Sequence, residues 1–341
     1  MRSPAQFVPA AAVLLFCALL GCSAPVAVRE EPVRFSNGAI TLSGTLVLPG
    51  SPGRHPAVVL FHGSAPDGRD LSTARWFAEQ GVAALAYDKR GFGESTGDAR
   101  QVPFMDLCGD GLAAVELLQA RPDINPRRIG VWGISQGGWL GPLAASRSKN
   151  VAFVIAISGP GVSPGEQMIF YYENQLRIEG LAESDIAEAS RLRRVVWQYL
   201  ATGTGYQEAK AALVRGRSKP WFAALQGQQD GLFALSDSAI LDDSRSRIWF
   251  RAEMNYDPTA ALRKLSVPVL FVFGGKDELV PVPKSVEVIR TTLAESHARD
   301  FTIKIFPGGD HGIYVDDPHG GKELAPGYLD AVKQWLRKHL S

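Results

Sequence analysis

The chain has 341 residues, 45% of them hydrophobic and 21% charged, with a formal net charge of +1 at pH 7. That composition suits a globular protein built as one large domain or as one domain carrying an insertion. The near-neutral balance and the lack of any Lys/Arg block exclude a basic nucleic-acid arm, and the sequence holds no internal repeat.

The first residues read as a targeting segment. Arg2 supplies a short charged stretch, and Val8 to Leu20 is an apolar run too short for a comfortable membrane span. It ends in Leu19-Leu20-Gly21-Cys22, followed by Ser23-Ala24-Pro25. This resembles the lipobox of bacterial lipoproteins, which implies removal of residues 1–21 and an N-terminal lipid anchor on Cys22. An ordinary secretory signal cut near Ala24 is the alternative, and both predict export to a membrane face in the periplasm or at the cell exterior. The cysteines are Cys17, Cys22 and Cys108. With Cys22 lipidated, the mature domain keeps one thiol and forms no internal disulfide. Cys108 falls in a helical segment and reads as a buried structural residue rather than a nucleophile. Residues 22–32, bearing Pro, Ala and Glu without periodicity, read as a tether.

The folded part opens on a hairpin. Val33–Ser36 and Ala39–Leu42 flank Asn37-Gly38, a pair that tolerates the positive φ angles of a two-residue turn, and alternation continues through Leu46 and Leu48. From residue 57 the strands change character. Ala57–Phe61, Val82–Tyr87, Ile129–Trp132, Val151–Ile157 and Val269–Phe273 are apolar runs of the kind buried on both faces of a parallel sheet, and Phe301–Phe306 joins them with partial alternation. Helix-compatible segments separate most of them: Leu71–Gln80, Phe104–Ala120, Gly137–Ser146, Pro283–Ala294 and Leu324–Leu340. The pattern predicts an α/β fold, a mostly parallel, doubly wound sheet with an antiparallel N-terminal hairpin. One interval breaks it. Residues 161–262 contain no buried-strand run, and in Leu181–Leu200 the residues Ile186, Ala189, Leu192, Val196 and Leu200 share one helical face. We read a helical cap inserted between core segments 33–160 and 263–341. Its aromatics (Phe170, Tyr171, Tyr172, Trp197, Trp221, Phe222, Phe233, Trp249) are expected mostly in the cap's own core, with some lining a pocket.

Ligands bind such sheets at the carboxyl ends of the strands, so the residues just after each run are the candidates for chemistry. After Ile129–Trp132 comes Gly133-Ile134-Ser135-Gln136-Gly137-Gly138, a G-x-S-x-G turn between strand and helix. A serine at the apex of so tight a turn needs small neighbours, and the turn lifts its hydroxyl clear of the sheet. Ser135 is the candidate nucleophile. His311, in Pro307-Gly308-Gly309-Asp310-His311-Gly312 after the last strand, is the candidate base. His55, His297, His319 and His339 lie in polar or turn-like surroundings and read as surface residues, and His62 as a packing residue that holds its loop. Asp277, after Val269–Phe273, is the candidate carboxylate that orients the imidazole, with Glu278 as fallback. Asp310 points away from its own neighbour's ring. The backbone N–H groups of Ser64 and Gln136 are the candidate oxyanion donors. In Asp88-Lys89-Arg90-Gly91-Phe92-Gly93-Glu94-Ser95, Arg90 is expected to brace the loops by a local pair. No His/Asp/Cys cluster has metal-ligand spacing, so neither metal nor cofactor is expected.

Together, His62-Gly63, Asp88-x-Arg90-Gly91-x-Gly93-x-Ser95, Gly133-x-Ser135-x-Gly137, Gly275-x-Asp277 and Gly308-Gly309-Asp310-His311-Gly312 resemble the α/β-hydrolase superfamily, particularly its bacterial esterase and serine-aminopeptidase-like members. The resemblance runs from about Val33 to the end, except the cap. It implies an α/β-hydrolase fold and a serine carboxylesterase that cleaves a small-molecule ester through an acyl-enzyme, with Ser135, Asp277 and His311 in the order of that family. An aminopeptidase or amidase, with Glu173 or Glu179 recognising an ammonium, remains the alternative. So does a thioesterase or acyltransferase on the same triad. A non-catalytic binding protein would be marked by a missing triad member, and none is missing.

Overall fold

The computed structural model describes residues 27–65, 68–98, 102–222, 253–296 and 300–340. The strands of the main sheet are β1 (Val28–Asn37), β2 (Ile40–Pro49), β3 (His55–Phe61), β4 (Ala83–Tyr87), β5 (Ile124–Ile134), β6 (Val154–Ile157), β7 (Val269–Gly274) and β8 (Phe301–Phe306). They lie in the order β1-β2-β4-β3-β5-β6-β7-β8. β1 pairs antiparallel with β2, and β2 with β4, while every pair from β4 to β8 is parallel. From β3 the chain steps to β4 on one side and then to β5 on the other, after which it runs outward through β8. The winding direction therefore reverses between β3 and β5, and the crevice at their carboxyl ends is where an open α/β sheet takes its ligand.

The apolar runs have both faces covered. In β3, Ala57, Val59 and Phe61 enter one core cluster and Val58 and Leu60 the other, the period-2 alternation of a strand buried on both sides. Helices α2 (Phe104–Gln119), α3 (Gln136–Arg147) and α8 (Val282–Ala294) cover the first face, through residues such as Leu107, Leu140 and Ile289. Helices α1 (Leu71–Glu79) and α9 (Tyr328–Leu340) cover the second, through Phe77 and Trp335. Each such side chain, fully buried, contributes about 1.5–3 kcal/mol of transfer free energy, which fixes the sheet as the rigid base under the crevice.

Between β6 and β7 the described residues form α4 (Pro164–Ile178), α5 (Glu183–Thr202), α6 (Tyr206–Gly216) and the short α7 (Pro258–Leu262). α4 starts on Ser163 and Glu166, which cap one another, with Pro164 in the first turn. Ile186, Ala189, Leu192, Val196 and Leu200 all enter a cluster separate from the sheet's, together with Tyr172, Trp197, Trp221 and Phe222. Phe233 and Trp249 lie outside the described residues.

Four boundaries differ from the sequence reading. Residues 28–32, read as tether, belong to β1: Val28 pairs with Pro49 and Pro32 with Thr45. Their charges suit an edge strand, where Glu30 meets Arg75 at 2.6 Å and Glu31 meets Arg121 at 2.7 Å. β5 starts five residues before the apolar run, at Ile124, because His55 pairs with that residue across a bulge. β6 is shorter than its apolar run; Val151 and Phe153 are buried without being strand. Before α9, residues 314–316 and 322–324 form a small hairpin, β9–β10, so the last helix begins at Tyr328 rather than Leu324.

Candidate active site

The Ser135 turn is built on backbone contacts that no side chain could share. A Cβ on Gly133 would stand 2.3 Å from the Gly137 carbonyl oxygen, and one on Gly137 would stand 2.7 Å from that of Phe61. One on Gly138 would fall 2.2 Å from the Gly159 Cα. These approaches let the first turn of α3 press onto the ends of β3 and β6. Ser135 itself has φ 54° and ψ −112°, a strained conformation for a residue with a side chain. It occupies the position where a serine usually caps the helix, yet its side chain makes no capping bond, so the hydroxyl is not spent on α3. The Ser135 N–H donates to Ile157 O at 2.9 Å, which ties the turn to β6.

The acid and imidazole loops are interlocked at the ends of β7 and β8. A Cβ on Gly274 would lie 2.0 Å from the Asp310 carbonyl, and the Lys276 N–H donates to Gly309 O at 2.8 Å. This packing carries His311 to Asp277, with Nδ1 to Oδ2 at 2.8 Å. The Asp277 side chain is fully buried, and that of His311 is 20% exposed. The other carboxylate oxygen of Asp277 accepts from the N–H groups of Leu279 (2.9 Å) and Val280 (3.0 Å). Two backbone donors hold one oxygen, which leaves the second aimed at the ring. That Nδ1 carries the proton is assigned from this partner, a carboxylate being an acceptor only.

The rival carboxylates are employed elsewhere. Asp310 accepts from the N–H groups of Gly312 and Tyr314 at 2.9 Å each, and meets Lys322 at 2.5 Å. Burial would raise its carboxyl, but the Lys322 bond and the two N–H groups outweigh burial and hold it below the usual carboxylate range. Glu278 is exposed. In the insertion, Glu173 accepts from the Ser190 hydroxyl at 2.8 Å, and Glu179 is exposed at the end of α4. The insertion does reach the acid loop: Gln167 and Asn174 of α4 donate to the Leu279 and Glu278 carbonyls at 2.5 and 3.0 Å.

On the crevice's other wall, Gly63 is close enough that a Cβ there would stand 3.9 Å from the Ser135 Cβ. Ser64 follows it, exposed. His62 packs edge-on against Tyr87 and bonds the Tyr87 carbonyl at 2.6 Å, so it holds the loop. Arg90 makes a two-toothed contact with buried Asp110 at 2.6 and 2.7 Å, bracing the loop after β4 against α2. Among the remaining histidines, His319 is exposed and His297 lies outside the described residues. Two read as surface residues are not. His55 is 8% exposed and bonds Ser51 O, because it opens a central strand. The His339 side chain is 6% exposed, packed at a tilt against the Trp335 ring and paired with Asp300 at 3.0 Å.

Two residues at the crevice escaped the sequence reading. Ser158, at φ 48°, donates its N–H to Val272 O and its hydroxyl to His311 O, both within 2.8 Å, and so links β6 to the imidazole loop. Its signal was its place directly after an apolar run. Lys89, 4% exposed, donates to Gly63 O, Ser64 O and the Gln136 side chain. A lysine in a charged turn carries no sequence signal of burial. Among the described residues no group of three His, Cys, Asp or Glu could hold a metal ion, and no helix is long and apolar enough to cross a membrane.

The sequence model of the Alpha/beta hydrolase family matches residues 58–321, well over half of the chain. The chain belongs to the α/β hydrolase family. It is similar to the esterase EstD of Thermotoga maritima, at 27% identity over 331 residues covering 90% of this chain and 69% of EstD. It is also similar to the quorum-quenching protein AidA of Acinetobacter baumannii, at 26% identity covering 84% of this chain and 89% of AidA. Among solved structures, the esterase Pf2001 of Pyrococcus furiosus superposes with a TM-score of 0.58 at 15% identity, covering 95% of this chain and 97% of that one. That likeness is one of fold. Membership of that family, with esterases among the similar proteins, supports a hydrolase.

Proposed function

We propose that the protein is a carboxylesterase that works through an acyl-enzyme on Ser135. The observation that carries the reading is the buried Asp277–His311 pair, at 2.8 Å, on the same sheet edge as a serine whose strained turn leaves its hydroxyl uncommitted to the helix. Ser135 Oγ attacks the ester carbonyl while His311 Nε2 accepts its proton. The ring becomes positive, and Asp277 stabilises that charge through Nδ1–H. The carbonyl oxygen takes up the negative charge, held by the N–H groups of Ser64 and Gln136 and by the positive end of α3; each such donor contributes about 3–4 kcal/mol to the transition state. As the tetrahedral adduct collapses, the ester C–O bond breaks and the alkoxide leaves with the proton from His311. Water then attacks the acyl-enzyme with His311 as base, releasing the acid and restoring Ser135.

The helical insertion, in contact with the acid loop, acts as the cap that limits the acyl chain and the leaving group. The lipobox-like Leu19-Leu20-Gly21-Cys22 supports a lipid anchor on Cys22 and a place on an exported membrane face. Incorporation of a radiolabelled fatty acid that persists in Cys22→Ala would remove that part of the proposal. The catalytic reading is tested by p-nitrophenyl acetate and butyrate turnover in wild type and Ser135→Ala. Loss of all turnover is expected; activity surviving the substitution ends the assignment.

A further inference from the structure

Lys89 is the most deeply placed lysine near the crevice, at 4% exposure, on the turn that follows β4. A lysine is seldom buried unless its charge is met by partners. Among the described residues the ammonium has three oxygens in reach: Gly63 O at 2.9 Å, Gln136 Oε1 at 3.0 Å and Ser64 O at 3.4 Å. Two of these oxygens belong to the loop after β3, and the third to the residue after Ser135. Both candidate oxyanion donors therefore sit on residues that this one ammonium grips.

The direction of the grip matters. The Gly63 carbonyl and the Ser64 N–H belong to one peptide unit, and the described chain has no cis peptide bonds. In a trans unit the C=O and N–H point in opposite directions. Drawing Gly63 O toward Lys89 turns the Ser64 N–H away from Lys89. Gly63 could otherwise rotate easily, since it lacks a Cβ and, among the described residues beyond its chain neighbours, none comes closer than 3.8 Å to where one would be. The second bond, to Ser64 O, pins the next peptide unit and so fixes both sides of the Ser64 Cα.

We propose that Lys89 is a positioning residue for the oxyanion hole, holding the Gly63–Ser64 peptide so that the Ser64 N–H faces the acyl oxygen, and locking the Gln136 side chain beside it. The inference rests on the reading of Ser135 as nucleophile and of the Ser64 N–H as donor. It adds that the hole is preorganised by a buried charge that touches neither substrate nor reacting atoms.

The test is Lys89→Met, which keeps the apolar stem and removes the donors, with p-nitrophenyl butyrate as substrate. With the peptide free to turn, one donor is lost from the transition state alone. The expected result is a kcat about 10²-fold lower with KM within about threefold, since an oxyanion donor contributes 10²- to 10³-fold to kcat. A folded Lys89→Met enzyme with kcat within threefold of wild type overturns the proposal, as does a loss confined to KM. Should Lys89→Met fail to fold, Lys89→Cys in a Cys108→Ala protein that lacks Cys17 and Cys22 is alkylated in denaturant and refolded. An aminoethyl group there rebuilds an ammonium of lysine's length, and a propyl group gives its neutral match. Recovery of kcat with aminoethyl but not with propyl supports the proposal, and equal kcat for the two, or no recovery with either, overturns it. Labelling of Ser135 by a fluorophosphonate in wild type keeps the two readings apart. Without labelling the catalytic reading itself fails; with labelling and an unaffected Lys89→Met, only the role of Lys89 does.

Discussion

Asp277→Asn is the substitution whose outcome the geometry constrains most tightly. One carboxylate oxygen faces the N–H groups of Leu279 and Val280 at 2.9 and 3.0 Å, and the other faces His311 Nδ1 at 2.8 Å. An asparagine must keep its carbonyl oxygen on the two N–H donors, because turning the amide would set NH2 against them. Its NH2 then meets Nδ1, which can pair with it only as an acceptor, so the ring proton moves to Nε2. That tautomer cannot take a proton from Ser135. Losses of about 10⁴-fold in kcat are typical of this change, or about 5 kcal/mol of barrier. Stability should move by less than about 1 kcal/mol, since both backbone bonds survive. Asp277→Ala, in contrast, strands the buried Val280 N–H and the partly exposed Leu279 N–H, at a cost of about 2–4 kcal/mol. Initial rates on p-nitrophenyl butyrate, run beside urea unfolding curves, read both quantities. Asp277→Asn with kcat within tenfold of wild type would refute the tautomer argument and, with it, the pairing of His311 with Asp277 in catalysis.

Three further outcomes are expected. Asp110→Ala leaves the Arg90 guanidinium, whose side chain is 9% exposed, without its main partner, and should cost about 3–5 kcal/mol by urea unfolding; the Arg90→Met/Asp110→Leu pair should recover most of it, and a single mutant as stable as wild type would contradict the brace. Glu253, 2% exposed and accepting from the Phe104 N–H, is pushed up to about 8, chiefly by burial. Between its ordinary value of 4.5 and about 8 the folded state holds a proton that the unfolded state releases, so stability falls as pH rises through that window. Glu253→Gln should gain on wild type in melting temperature from pH 5 to pH 9, and parallel profiles would refute this. Burial likewise pushes the Cys108 thiol up to about 12, so in protein lacking Cys17 and Cys22 the folded state should resist Ellman's reagent until denatured.

Much of the scaffold was legible because burial on both faces leaves an unmistakable apolar run: every residue of Ala57–Phe61 and Val269–Phe273 is buried. Strand ends were not: β5 meets β3 at Ile124 and next at Ile129, past a break in register, and Val28–Pro32 is held by ladder bonds to β2 and by edge charges. Gly133 and Gly137 announced close backbone approaches that the packing contains. The choice among Asp277, Glu278 and Asp310 depended on which backbone N–H groups each would meet, a property of three-dimensional loop packing. Lys89 was invisible for the same reason: a lysine just past a strand looks identical whether solvent or a carbonyl receives it, and Ser158 was marked only by its place after an apolar run.

Three residues with side chains hold left-handed backbones among the described positions: Ser135 at φ 54°, Ser158 at φ 48° and Ile313 at φ 64°. All stand at the crevice or in the imidazole loop, and each costs on the order of 1–3 kcal/mol. The protein thus keeps its least comfortable backbone at the proposed site. For anyone breeding a heat-tolerant variant this is a trap. A screen for surviving fold alone will reward glycine at Ser135 and at Ser158, relaxing the strain while discarding a hydroxyl at each position, and will return durable proteins with a blunted site. Selection has to score heat and turnover in the same pass, or draw its gains from the helices far from that edge.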